Sequence, residues 1–157
     1  PFRKANKLIG GWEAGVIFTE LAGGPIGAGS ANNNTFSQGG GQRPDWTGVN
    51  PKLSTPTPAH WFDTSQFSNP LEYHFGNAPR TFGGTRTDGI SQVDLSMHKN
   101  TNLTEKLKLQ FRAEFFNLTN TPHFAPPNTN FGNPLFGVVS AQSNQPRIIQ
   151  FALKLLM

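Results

Sequence analysis

The sequence predicts an all-β protein: an antiparallel transmembrane β-barrel, of which these 157 residues supply the C-terminal strands with long extracellular loops. Three observations carry the prediction. Four segments alternate apolar and polar residues with a period of two, the mark of a strand with one apolar face. These segments run to about 10 residues or more, the length of a tilted membrane crossing, where soluble strands average about 5 to 6. They are joined either by a short polar turn or by very long stretches rich in Gly, Asn and Pro, as in a barrel with short periplasmic turns and long outer loops.

The first segment, residues 8–19, reads LIGGWEAGVIFT and places Trp12, Ala14, Val16 and Phe18 opposite Glu13, Gly15, Ile17 and Thr19, a partial alternation. Residues 21–89 follow, with GGPIGAGS, ANNN, GGGQRPDW, STPTPAH and SNP as closely spaced breakers. They read as a long irregular excursion rather than a core, and loops beyond about 15 residues are usually functional or disordered. The second segment, residues 90–99 (ISQVDLSMHK), sends Ser91, Val93, Leu95 and Met97 to one face and Gln92, Asp94, Ser96 and His98 to the other. The short polar NTNLTE then predicts a hairpin turn. The third, residues 106–118 (KLKLQFRAEFFNL), is the strongest signal: Leu107, Leu109, Phe111, Ala113 and Phe115 against Lys106, Lys108, Gln110, Arg112 and Glu114. A second excursion, residues 119–146, interleaves Phe with Asn, Pro and Gly. The last segment, residues 147–157 (RIIQFALKLLM), alternates Ile149, Phe151, Leu153, Leu155 and Met157 with Ile148, Gln150, Ala152, Lys154 and Leu156.

Composition removes the competing classes. With 17 Gly and 13 Pro, no Pro-free window sustains a helical apolar rhythm. Each such residue inside a helix would cost about 1 or 3 kcal/mol respectively. The glycines lack the period of three that collagen requires. The absence of Cys excludes disulfides, thiol catalysis and cysteine zinc sites. A net charge of +4 is scattered along the chain without a basic block, which predicts no nucleic-acid partner. No apolar run reaches the ~18 residues of a membrane helix, a limit that strands escape.

An alternating strand has two physical readings. In a soluble or cell-surface β-sandwich, a carbohydrate-binding or adhesive module for example, the apolar face packs inward. In a membrane barrel the apolar face meets lipid and the charged face lines a wet lumen. Strand length and loop asymmetry favour the barrel. Closing one takes at least about 8 strands, and open edges are not tolerated in lipid, so four confident strands predict one end of a larger barrel. The opening Pro-Phe-Arg-Lys, with neither Met nor an apolar leader, reads the same way.

The residues also carry a family resemblance. LQFRAEFFNLTNTPHFAPPNTNFGNPLFG and the closing QPRIIQFALKLLM resemble the C-terminal end of TonB-dependent outer-membrane receptors of the Oar-like type. LIGGWEAGVIFTELAGGPIG, WFDTSQFSNP, FGNAPR and GISQVDLSMHKN resemble that family's upstream blocks in order, so the likeness spans essentially the whole chain. The resemblance implies a large barrel preceded by a plug and a TonB-contacting segment, neither within these residues, and uptake of a bulky nutrient. It implies outer-membrane lipid and the barrel-assembly machinery, through the last strand, as partners, with the TonB system reached only through the absent N-terminal parts. The family's usual terminal aromatic is replaced here by Met157.

Candidate residues follow from the two faces. Asp94, Lys108, Gln110, Arg112, Glu114, Gln150 and Lys154 are expected to line the lumen. Val93, Leu95, Leu107, Leu109, Phe111, Phe115, Phe151, Leu153 and Leu155 are expected to face lipid. Among the loop aromatics, Trp46, Trp61, Phe62 and Tyr73 are candidates for contacting a sugar or peptide at the barrel mouth; packing of the loops on their own aromatics is the alternative. His60, His74, His98 and His123 are too dispersed for a short metal motif and read as surface or turn residues. Without a paired-carboxylate, G-x-S-x-G or P-loop pattern, no catalytic residue, metal or cofactor is expected, and the chain does not read as an enzyme.

Overall fold

A computed structural model of the chain describes residues 9–36 and 41–157. Its strands are β1 (Trp12–Leu21), β2 (Gly29–Ser30), β3 (Asp45–Trp46), β4 (Phe67–Ser68), β5 (Ile90–Asn102), β6 (Lys108–Phe116), β7 (Asn130–Phe131) and β8 (Ile148–Leu156). The fold is all-β. Among the described residues, the helical positions are Ile9 and a 3-10 turn over Thr64–Gln66. No helix among the described residues is long and apolar enough to cross a membrane. Two compact units form: residues 1–21, 90–122 and 145–157 make the first, and residues 22–89 and 123–144 the second.

The first unit is a four-stranded antiparallel sheet in the order β1-β5-β6-β8. Its strands lie where alternation predicts them, with shifted ends. Leu8, the predicted start of the first, is outside the described residues, and β1 begins only after Gly11. Gly11 sits at φ 77°, and a Cβ there would collide with the Asn100 carbonyl, so only glycine fits the chain's entry to the sheet. β5 extends past the predicted Lys99 to Asn102, which moves the turn: Leu103 N and Thr104 N donate to Leu107 O at 2.9 and 3.2 Å. Leu107 therefore closes the hairpin instead of facing outward from a strand as expected. β6 stops at Phe116 because Asn117 takes a left-handed φ of 51°, which breaks the extended chain and which Asn tolerates better than most residues.

Register fixes the faces. Val16 pairs with Leu95 and Phe18 with Val93; Leu95 pairs with Phe115 and Met97 with Ala113; Phe111 pairs with Leu153 and Ala113 with Phe151. Partners opposite one another share a face, so the apolar sets of all four strands form one continuous wall. Phe111 and Phe151 stack at 6.1 Å, and Phe115 meets Phe151 edge-on at 6.4 Å. β1 and β8 each leave one edge unpaired among the described residues.

The second unit corrects an expectation. Residues 21–89 were expected to be an irregular excursion, yet they hold nearly all of the hydrophobic core: Ile26, Ala28, Trp61, Phe62, Phe67, Ala78 and Phe82 are buried together with Val139 of the second excursion. Phe62, Phe67, Phe82, Trp46 and Phe136 meet edge to face at 5.2 to 6.0 Å, pairs worth about 0.5–1.5 kcal/mol each beyond their buried area. Backbone groups find partners between loops: Trp61 N donates to Gly137 O at 2.9 Å, Val139 N to Pro58 O at 2.7 Å and Phe82 N to Ile26 O at 2.8 Å. At Gly27 a Cβ would strike the Arg80 carbonyl, so two loop backbones can touch there only through glycine. Pro and Gly here are the joints of a packed unit, which an alternation search does not see.

Candidate functional site

Two surfaces carry the candidates, one on each unit. On the sheet, all seven residues predicted for the lumen lie on the face opposite the apolar wall. Asn100, Gln110 and Lys154 form one cross-strand row; Ser96, Glu114 and Gln150 form another; Glu13, His98, Arg112 and Ala152 lie between them. Arg112 Nη2 contacts Glu114 Oε1 at 2.9 Å, and Arg112 Nε donates to His98 Nε2 at 3.4 Å. Gln110 Nε2 donates to Asn100 Oδ1 at 3.0 Å. With about two-fifths of its side chain exposed, Arg112 makes a solvated pair, of the kind worth about 0–1 kcal/mol. A cavity of about 220 Å³ opens beside Asp94, Ser96, His98, Arg112 and Glu114.

Asp94 does more than face a cavity. It accepts Gln92 Nε2 at 2.9 Å and the backbone N–H of Asn117 at 2.8 Å. The Asn117 carboxamide in turn donates to Thr121 O and Gln145 O, both at 3.1 Å, and accepts Thr121 N at 3.0 Å. Asp94 and buried Asn117 thus pin both ends of the second excursion to the end of the sheet. Sequence reasoning missed Asn117, which sits off the alternation. It also left out Asn100 and Ser96, which the same period of two would have found.

The opposite face is apolar and open. Val16 and Phe18 are each 64% exposed, Phe151 68% and Leu153 69%, and no second sheet layers over them within their own unit. In water this wall would be a liability far larger than an ordinary surface patch. Near its hairpin end, Lys99 places Nζ 4.9 Å from the centre of the Trp12 ring and donates to Gly10 O at 3.0 Å. An aromatic ring and a cation reaching toward the rim are what a membrane–water interface selects.

On the second unit the four candidate aromatics separate. Trp61 and Phe62 are 8% and 2% exposed and belong to the core, so packing, not contact with a ligand at the mouth, is their role. Trp46 is half-buried against Phe82, its indole N–H donating to Val49 O at 2.6 Å. Tyr73 alone of the four stands outward, 74% exposed. His123 also departs from the expected surface position: it is 4% exposed, with Nδ1 3.9 Å from Asp88 Oδ2. Asp63 caps the 3-10 turn, accepting Ser65 N and Ser65 Oγ at 3.0 and 2.6 Å and Gln66 Nε2 at 2.8 Å. The Ser65 and Gln66 side-chain hydrogen bonds hold its carboxyl below the usual carboxylate value. Among the described residues no group of three or more His, Asp or Glu is placed to hold a metal.

An open sheet with one apolar and one charged face has a natural home only where one face meets lipid and the other water. The sequence matches the family described as outer membrane beta barrel domain over residues 3–150. The chain belongs to that family. No curated protein and no solved structure matched it. It is thus an outer-membrane β-barrel chain of the bacterial cell, and its sheet leaves one edge each of β1 and β8 open among the described residues.

Proposed function

We propose that this chain forms part of the wall and mouth of a TonB-dependent receptor of the Oar-like type that takes up a bulky nutrient. In this reading Asp94, Lys108, Gln110, Arg112, Glu114, Gln150 and Lys154 line the lumen. The observation that carries it is the register, which brings these residues from three strands into rows on one face while the opposite wall is left bare. A charged, hydrated lumen suits passage of a large polar cargo, and the folded second unit, whose two segments connect β1 to β5 and β6 to β8 in the chain, suits capture outside the cell. The free edge of β8 is the surface the barrel-assembly machinery would read, and the TonB system would act through parts of the receptor beyond these residues. In this reading the polar rows serve as a hydrated surface, holding the Arg112–Glu114 ion pair and the Gln110–Asn100 amide pair. A soluble sandwich would need a second sheet over the apolar wall, and the described residues of the first unit form one sheet.

Single-cysteine variants of the full-length receptor in its membrane test the wall. Phe151→Cys and Leu153→Cys, labelled with a fluorophore, are expected to be quenched by a lipid-borne nitroxide. Gln150→Cys and Glu114→Cys are expected to react with a water-soluble maleimide and escape the quencher. The reverse pattern would sink the face assignment. Uptake that persists when the inner-membrane energy source is removed would sink the TonB-coupled role.

A further inference from the structure

The second unit contains a cavity of about 390 Å³ lined by Thr64, Asn69, Asn133, Phe131 and Phe136, with Gly132 and Pro134 at its edge. Its size lies within the range of small-ligand sites, about 300–1,000 Å³. No charged side chain lines it. Its polar groups are arranged with donors to spare. The Asn69 carboxamide oxygen accepts Asn32 Nδ2 at 2.8 Å, and the Asn133 oxygen accepts Leu135 N at 2.8 Å, so each amide commits its oxygen and, among the described residues, keeps its Nδ2 donor uncommitted. The Thr64 hydroxyl likewise has no partner among the described residues. A second cavity of about 300 Å³ beside Lys52, Arg86 and Asp88 differs on this point: Arg86 Nη1 is spent on Gly23 O at 2.7 Å and Asp88 Oδ2 on Phe124 N at 2.7 Å.

The chain continues the feature in both directions from the Asn32–Asn69 hydrogen bond. Four residues beyond each partner, Phe36 and Tyr73 pack together, ring centres 5.0 Å apart, and are 60% and 74% exposed. Both take left-handed backbone angles, φ 56° and 62°, uncommon and strained for aromatic residues. The Tyr73 N–H donates to Asn34 O at 2.7 Å, and Asn34 Nδ2 donates to Pro70 O at 2.7 Å, which ties the two segments in that posture. Eight other aromatics of this unit are folded into edge-to-face contacts, and Phe75 is exposed like this pair, but Phe36 and Tyr73 present outward as two rings in contact.

We infer that the cavity and the Phe36–Tyr73 ridge together form a binding site for a neutral oligosaccharide. Aromatic faces stack on the apolar face of a sugar ring, amide and hydroxyl groups match ring hydroxyls, and absence of charge fits an uncharged ligand. A peptide fits less well, because its backbone calls for an open strand edge or its termini for a counter-charge. The inference deepens the receptor reading by naming the class of its cargo, and it can fail separately from it.

The test is calorimetric titration of the full-length protein in detergent, without TonB, with maltohexaose, cellohexaose and xylohexaose, and with an uncharged Gly/Ser hexapeptide. At least one oligosaccharide is expected to bind with a Kd below about 1 mM. Tyr73→Gly, which removes the ring while relieving the left-handed strain, and Asn69→Asp, which keeps the acceptor for Asn32 but removes the donor, should each weaken it about tenfold. Tyr73→Phe should retain it. Failure of all three sugars to bind with a Kd below about 1 mM, binding of the hexapeptide alone, or unchanged affinity in both weakened variants overturns the inference. Sugar binding with uptake independent of TonB would sink the energy-coupled role and leave the site; TonB-dependent uptake without sugar binding would do the opposite.

Discussion

The two units use the same residue types for opposite ends. In the sheet, Phe18, Phe151 and Leu153 face outward and the chain is held by ladder hydrogen bonds between long strands. In the second unit, Phe62, Phe67 and Phe82 face inward and the chain is held by ring contacts and loop-to-loop hydrogen bonds between strands of only two residues. Of the buried hydrophobic residues, Ala113 alone belongs to the sheet. The difference teaches that solvent, and not composition, decides where an aromatic goes. A bilayer removes the drive to bury apolar side chains but demands that every backbone group be paired, whereas water does the reverse.

The largest expected effect is on the interior of the second unit. Phe62→Ala should cost about 3–5 kcal/mol, the range for deleting a large buried aromatic, and should open residues 22–89 to protease while the sheet stays folded in the membrane. The matched change on the sheet, Leu153→Ala, removes a side chain that is 69% exposed and lies beside Phe111 on the open wall, so it leaves no enclosed cavity. It should cost far less in chemical denaturation of the full-length protein in lipid. Equal costs would break the comparison.

Charge reverses the ranking between faces. Leu153→Lys should weaken folding into vesicles by about 2–4 kcal/mol near the midplane, whereas Lys154→Leu, the neighbour on the polar side, should change it little. Titrating folding against denaturant in lipid vesicles measures both. A smaller effect comes at the rim, where Lys99→Met removes the cation from the Trp12 face and should cost about 0.5–1 kcal/mol in the same titration.

These two regions were not equally legible in the sequence. Alternation in KLQFRAEFF is a local property, so the strand and both of its faces can be read without knowing its partners; Arg112, Glu114 and Gln110 followed from it directly. What alternation could not give was the strand ends: β1 starts after Gly11 and β6 stops before Asn117, both at positive φ. The core of the second unit has no local signature at all. Phe62 and Phe136 are 74 positions apart in the chain and meet at 5.2 Å, and nothing at either position says so. That is why Trp61 and Phe62 could be placed among candidates for a mouth site, and why buried His123 passed for a surface residue. Of the external candidates, Tyr73 was legible and its partner Phe36 was not, because their pairing is set by the Asn34 contacts.

The smallest expected effect separates the units by pH. Asp63, in the second unit, accepts hydrogen bonds from Ser65 and Gln66 as a carboxylate, so its folded pKa lies below the ordinary 3.8. A depressed pKa means the folded state holds its proton less tightly than the unfolded chain does. Its contribution is therefore fully present above about pH 4, where both forms are ionised, and is lost as pH falls through the lowered folded value. Solvent reaches the group, which keeps the effect slight. Asp63→Asn keeps an acceptor for Ser65 N but cannot titrate, so protease resistance of residues 22–89 in the variant should lose part of its acid sensitivity between about pH 4 and 2. The sheet's resistance should follow the same curve in both proteins. If the variant and the parent opened identically in acid, Asp63 would be a cap without electrostatic weight.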